Sequence, residues 1–309
     1  MSVEDLAVTI VDELQANAGP QPAGRIAHAK GICARGTFTA SGVAAELTRA
    51  THLREGSVPA VVRFSNGGAN RSAADGTRDG RGMATRLLLD ENRGHDLVAL
   101  SLPAFFVRTP EDFLEFVRAR KPDPATGQPD LTRVMAFLAN HPESVPAVQS
   151  SMAALPPVSY ATVQYNGIHT FVLVDAAGRR TPFRYRWEPH AGTASLTEAE
   201  AAARPRDYLH AELSDRLARE PVQFRLTFQL AQADDPLDDP TAAWPADRPT
   251  ISAGHLELTE LVADQRGDCE ARIFDPGNVV DGVEPSGDPI LAIRSHAYGI
   301  SYARRHASS

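Results

Sequence analysis

The chain is short of the residues that give simple signatures. It has two cysteines in 309 residues, Cys33 and Cys269, too few for a disulfide framework or a cysteine-rich metal cluster. A catalytic thiol is open on count alone, but Cys33 lies in an alternating segment and reads as a small core hydrophobe. Basic residues are outnumbered, 31 Lys and Arg against 39 Asp and Glu, for a formal charge of −8. A nucleic-acid partner is therefore not expected, because phosphate contacts need a basic face. No apolar run is long enough to span a bilayer and no basic-then-apolar leader opens the chain. A cytoplasmic protein without a membrane partner is the expectation. The 22 glycines and 23 prolines are spread along the chain, which leaves no collagenous or low-complexity stretch.

What is present begins with a helix. Val3, Leu6, Ala7, Ile10, Val11 and Leu14 recur at helical spacing, with Glu4 and Asp5 in the first turn, where the helix dipole favours them. Such a stripe must be buried, either on its own chain or in a homodimer. Residues 1–20 are assigned to this arm and 21–309 to one domain, because the proline-rich stretches Pro122–Pro129 and Asp234–Pro249 read as surface loops rather than linkers.

Seven or eight strands are predicted by alternation and β-branched content. They are Arg25–Phe38, Val61–Phe64, Met83–Leu89, Asp96–Leu100, Thr170–Val174, Phe183–Trp187, Phe224–Leu230 and His255–Val262. Asp175 to Gly178 marks a hairpin turn between two of them. Helices are expected over Ala44–His52, Pro110–Arg118, Leu131–Asn140 and Thr197–Leu217, and after Pro289 through Tyr298. Strands in groups favour an antiparallel sheet in an α+β fold, and eight of them suggest a closed barrel.

The chemistry-bearing residues occur in short segments. Arg25-Ile26-Ala27-His28-Ala29-Lys30-Gly31 places one histidine among small residues, and a histidine so placed is more often a satisfied core group than a catalyst. Arg63-Phe64-Ser65 has no nucleophile elbow around its serine, and Arg78-Asp79-Gly80-Arg81-Gly82-Met83-Ala84 reads first as a charged turn. Pro103-Ala104-Phe105-Phe106-Val107-Arg108 carries a paired aromatic step in a chain with 6% aromatics. Ile168-His169-Thr170-Phe171 and the irregular run Phe274 to Ser286 follow. Arg294 and Tyr298, four apart, share a helix face. A guanidinium beside a phenol stabilises the phenolate, a hard anionic ligand suited to ferric iron. A packing pair is the plainer alternative.

Taken in order, these seven segments resemble the haem catalase family, from about Gly24 to Arg305. The likeness is greatest to the small catalase-related peroxidases, which keep little beyond the family's barrel core. The resemblance implies an eight-stranded antiparallel barrel with peripheral helices and haem b buried beside it. It implies His28 as distal histidine, Ser65 as its hydrogen-bond partner, and Phe106 and Phe113 along the haem. It implies Arg25, Arg63 and Arg305 at the propionates, and Tyr298 on iron with Arg294 behind it. The chain departs from the family pattern at three positions. His296 stands where the family has phenylalanine, Ile300 where it has aspartate, and Ser101 falls on the distal asparagine.

The function implied is a haem peroxidase that reduces organic hydroperoxides and hydrogen peroxide with an external electron donor. Weak catalase activity at most is expected, since Ser101 orients a second peroxide less firmly than asparagine. The alternatives are a true catalase, a hydroperoxide-rearranging enzyme on the same scaffold, and non-enzymatic haem storage or sensing.

Overall fold

Strands rich in Val, Leu and aromatics alternate inward and outward side chains, and ten of them join one antiparallel sheet. The computed structural model describes residues 2–19, 24–123 and 125–307. The boundary expected between residues 20 and 21 lies outside them, as does residue 124 of the first proline-rich loop. The strands are β1 (Gly31–Ala40), β2 (Ser57–Asn66), β3 (Arg81–Leu88), β4 (Gly94–Leu100), β5 (Tyr165–Asn166), β6 (Phe171–Val174), β7 (Arg180–Pro189), β8 (Val222–Leu230), β9 (Thr250–Leu261) and β10 (Val283–Pro285). Their order is β10-β6-β7-β5-β4-β3-β2-β1-β9-β8, and a further β7–β8 pairing closes eight of them into a barrel. Closure leaves no free edge in the ring, and β6 and β10 hang from β7 outside it.

Aromatic side chains fill the barrel. Phe38, Phe64, Tyr160, Tyr165, Trp187 and Phe224 are all buried, with Phe64 stacked on Tyr160 at 5.4 Å between ring centroids and Phe38 edge-on to Trp187 at 6.1 Å. A large ligand therefore has to sit outside the ring. The period of two along β2 prepares that outer face: Phe64 points inward, Arg63 and Ser65 outward. Cross-strand register carries the pattern over the sheet in two rows. One runs Cys33–Arg63–Ala84–Val98 and the next Gly31–Ser65–Gly82–Leu100.

Helices surround the barrel. They are α1 (Val3–Ala18), α2 (Thr51–Arg54), α3 (Pro110–Ala119), α4 (Leu131–Asn140), α5 (Val145–Ala153), α6 (Glu198–Ala202), α7 (Tyr208–Leu217) and α8 (Pro289–Ala307). Of these, α1, α3 and α8 cover this face. Ser2 and Asp5 form a capping box at the start of α1. Its stripe residues Leu6, Ala7 and Ile10 cluster with Leu114 of α3 and Ile293 of α8. Most of the stripe is thus buried within its own chain, with Val3 left exposed, so the stripe does not by itself call for a homodimer.

Several expected elements change. Arg25–Lys30 is not strand: His28 takes a positive φ of 50°, while its N–H and that of Ala29 donate to the Gly67 and Gly68 carbonyls, each at 3.0 Å. A pleated alternation of side chains does not apply there. The helix expected over Ala44–His52 is a turn followed by the four-residue α2. Thr197–Leu217 is two helices, α6 and α7, broken around Pro205, whose ring cannot continue the ladder. The two cysteines, read apart, are bonded to each other, Cys33 of β1 to Cys269 of a wide helical turn at Gln265–Glu270. Sequence spacing of 236 residues gives no hint of this contact; the barrel closes it.

Candidate active site

A cavity with about 1330 Å3 of empty space, its mouth included, opens between the outer face of β2–β4 and helices α1, α3 and α8. Arg25, His28, Arg63, Ser65, Phe113, Arg294, Tyr298 and Arg305 all line it. Helix α1 contributes Ile10, Val11 and Leu14 to its wall.

His28 and Ser65 form one pair, Nδ1 to Oγ at 3.0 Å. Gly82, facing Ser65 in the next strand, is required beside them. A Cβ at that position would lie 2.7 Å from Ser65 Oγ and 2.9 Å from His28 Nδ1. Burial first, then the positive charges of Arg63, Arg294, Arg25 and Arg81, push the His28 imidazole down to about 3. The ring is neutral at ordinary pH.

At α8 the geometry is a chain of four side chains. Arg294 Nη2 donates to Tyr298 Oη at 2.6 Å, and Arg294 Nη1 donates to His169 Nε2 at 2.7 Å. His169 Nδ1 donates to Asp288 Oδ2 at 2.6 Å, while Asp288 Oδ1 accepts from the first N–H groups of α8. Burial above all holds His169 down, to about 4, so the imidazole is neutral with its proton on Nδ1, as the donors around it require. Neither His169 nor Asp288 was given a role from sequence. The signal was there: His169 sat in a marked segment, and Ser286-Gly287-Asp288-Pro289 is a helix-start pattern.

The arginines form the third part. Glu270 accepts from Arg63 at 3.0 Å and from Arg25 at 3.3 Å, and Arg305 donates to its backbone carbonyl at 2.9 Å. Burial, then Arg63 and Arg305, push Arg25 down to about 9 despite Glu270, and Arg63 Nε is buried without a partner.

Two expected residues stand elsewhere. Ser101, just past β4, is held at the start of β3, its Oγ accepting from the Arg81 N–H at 2.9 Å, and it does not line the cavity; Leu100, in register with Gly82 and Ser65, does. Phe106 stacks on Phe116 at 5.2 Å in an aromatic cluster, and its neighbour Phe105 takes the cavity position. Among the described residues of the lining there is no asparagine or glutamine.

These residues suit a haem. Arg294 holds an oxygen donor, Tyr298 Oη, toward the cavity; Arg25, Arg63 and Arg305 line it where carboxylates could be met; and the walls are apolar. Comparison with known proteins agrees. The family model described as Catalase matches residues 4–308. A catalase-related peroxidase of Synechococcus elongatus is 36% identical over 278 residues, 90% of this chain and 82% of the relative. Another from Mycolicibacterium paratuberculosis is 34% identical, covering 96% of this chain and 93% of the relative. Catalase-2 of Bacillus subtilis is 32% identical, but this chain spans 42% of its length.

Proposed function

The chain belongs to the catalase family and is a haem-dependent oxidoreductase acting on peroxide, and we propose that it is a peroxidase that holds haem b, reduces organic hydroperoxides and hydrogen peroxide with an external donor, and dismutates hydrogen peroxide weakly. The observation that carries this reading is the Arg294–Tyr298 bond in a cavity that His28 also lines. Tyr298 Oη is the proposed iron ligand. An arginine can only donate, so the phenol oxygen accepts from it, and the guanidinium fixes where that oxygen points. Asp288 and His169 fix Arg294 from behind. Arg25, Arg63 and Arg305 are proposed to meet the propionates. Bound there, haem would supply ferric iron, a redox centre for peroxide chemistry.

His28 moves the proton. With Nδ1–H donating to Ser65 Oγ, Nε2 presents a lone pair to the cavity, able to take a proton from an incoming peroxide and return it to the departing oxygen. The peroxidase preference rests on the cavity wall beside that pair. Dismutation requires a second peroxide held by a further hydrogen bond. Leu100 has none to give, and Ser101 is turned to Arg81.

No helix among the described residues is long and apolar enough to cross a membrane. A cytoplasmic location is part of the proposal, and it meets the Cys33–Cys269 bond, a kind rare in reducing compartments. The test of the whole reading is hemin titration of the protein and of Tyr298→Phe, followed by turnover of cumene hydroperoxide and hydrogen peroxide with a phenolic donor. Tight hemin binding lost in the variant, with donor-dependent peroxide consumption, supports it. An unchanged spectrum in Tyr298→Phe overturns the ligand assignment.

A further inference from the structure

The bond between Cys33 and Cys269 lies at the arginine seat. Cys33 is the cross-strand partner of Arg63, and Cys269 immediately precedes Glu270, the carboxylate that binds Arg25 and Arg63. The sulfurs pack in an apolar cluster with Phe274, Ala84 and Val98, three residues that also form the cavity wall. One layer of side chains therefore separates the bond from the cavity. A second tie backs it: Gln265 accepts from the Cys33 N–H at 2.8 Å and donates to the Cys33 carbonyl at 2.8 Å. Arg35 pairs with Asp268 of the same turn.

We propose that Cys33 and Cys269 are a thiol–disulfide site oxidised by the enzyme's own hydroperoxide substrate, and that the bond clamps the Gln265–Glu270 turn so that Glu270 holds the arginines in place to receive carboxylates. The inference rests on the reading of the cavity as a haem site. The chemistry balances with that substrate alone. One cysteine sulfur attacks a peroxide oxygen, the O–O bond breaks, and an alcohol leaves carrying the thiol's proton. The resulting sulfenic acid is attacked by the second thiol, the S–S bond forms, and water leaves. In sum two thiols and one hydroperoxide give a disulfide, an alcohol and water. The geometry selects this pair, since both sulfurs are fully buried away from bulk reductant, one side-chain layer behind the wall of the cavity proposed to take peroxide. A bond closing so long a loop also holds the turn where separate hydrogen bonds let it move.

The experiment begins with full-length protein purified under reductant, loaded with hemin, and freed of reductant under argon. Cumene hydroperoxide is added at one equivalent, and thiols are counted after denaturing alkylation by intact mass. Two thiols should be lost together, and Cys33→Ala and Cys269→Ala should each show no such pairing. Hemin transfer to an excess of apomyoglobin is then timed for the oxidised and reduced forms. Release should be on the order of tenfold faster from the reduced form, because the clamp is gone while the Gln265 tie remains. Glu270→Gln in the oxidised form should release hemin as fast as reduced wild type. If both thiols survive the hydroperoxide, the oxidant assignment is overturned. If oxidised and reduced forms release hemin at one rate, the clamp is overturned. Failure of both forms to bind hemin at all would instead overturn the haem reading, and the thiol count would still decide the oxidation step.

Discussion

Replacing His28 with alanine isolates the proton-transfer role from cofactor binding. His28 is held by one hydrogen bond to Ser65 and is not the proposed ligand, so His28→Ala should keep its haem, with an unchanged content by pyridine haemochrome. Peroxide consumption should fall by roughly 10²- to 10⁴-fold, the usual contribution of a positioned acid–base group. The pH profile sharpens the test. A base works when deprotonated, and burial with four nearby arginines pushes His28 down to about 3. Its folded value lies below the ordinary 6.5, so the neutral ring persists as pH falls and the wild-type rate should stay level from pH 8 to near pH 5. Bound propionates would offset part of the arginine charge and move the limb upward, but not to the unperturbed value while the ring stays buried. The assay is stopped-flow consumption of cumene hydroperoxide at a fixed donor concentration. A wild-type limb centred near pH 6.5 would show that the imidazole is solvated in the working enzyme. Undiminished consumption in His28→Ala would show that the histidine is structural.

Four further outcomes follow from the same geometry. Gly82→Ala should mimic much of the His28 loss, because the added Cβ meets both Ser65 Oγ and His28 Nδ1; stopped-flow rates with normal haem content check it. Leu100→Asn should raise oxygen evolution from hydrogen peroxide by roughly ten- to a hundredfold, the worth of one oriented buried hydrogen bond, whereas Ser101→Asn should not. Equal response at both positions in a Clark-electrode assay would refute the register argument. His169→Phe should weaken hemin binding and shift the charge-transfer bands, since Arg294 loses the acceptor that aims it at Tyr298. Finally, buried His52 and His95 sit with Nε2 3.0 Å from Nδ1, and burial pushes them down to about 4 and about 3. The unfolded chain binds their protons first, so stability is full above about pH 6.5 and falls as pH drops toward 4, by up to about 1.4 kcal/mol per pH unit for each histidine. Thermal midpoints unchanged from pH 7 to 4.5 would contradict this.

The sequence exposed most of what periodicity can reach. Tyr298 and Arg294 were legible because helical spacing of four puts them on one face, and α8 keeps that spacing. Most strand positions were legible for the same reason, but β5, which completes the ring, the short β10, and the loop over Arg25–Lys30 were not. A positive φ at a histidine has no composition signal, and it arises here from backbone bonds to Gly67 and Gly68, residues remote in the chain. The disulfide was hidden by distance along the chain, since only barrel closure brings residue 269 against β1. Leu100 can be reached from the pattern alone. The alternation that aims Arg63 and Ser65 outward, carried across two strand pairings, reaches Gly82 and then Leu100. Following a motif by position alone stops one residue later, at Ser101, where the strand has ended and the side chain turns back to Arg81.

The arginines connect these observations. Four guanidinium groups lower the His28 imidazole, and Arg25 is itself lowered by Arg63 and Arg305. A cavity lined by Arg25, Arg63 and Arg305, with Arg63 Nε buried and without a partner, suits a ligand that brings carboxylates of its own. The same charge that recruits such a ligand keeps the distal base neutral, so carboxylate binding and proton transfer share one set of residues. Weakening the set should therefore show in both. Arg63→Gln should speed hemin transfer to apomyoglobin and also raise the lower limb of the pH–rate profile, because Arg63 is the largest charge acting on His28 after burial. A variant that loses hemin faster while the limb stays in place would separate the two effects and break the link argued here.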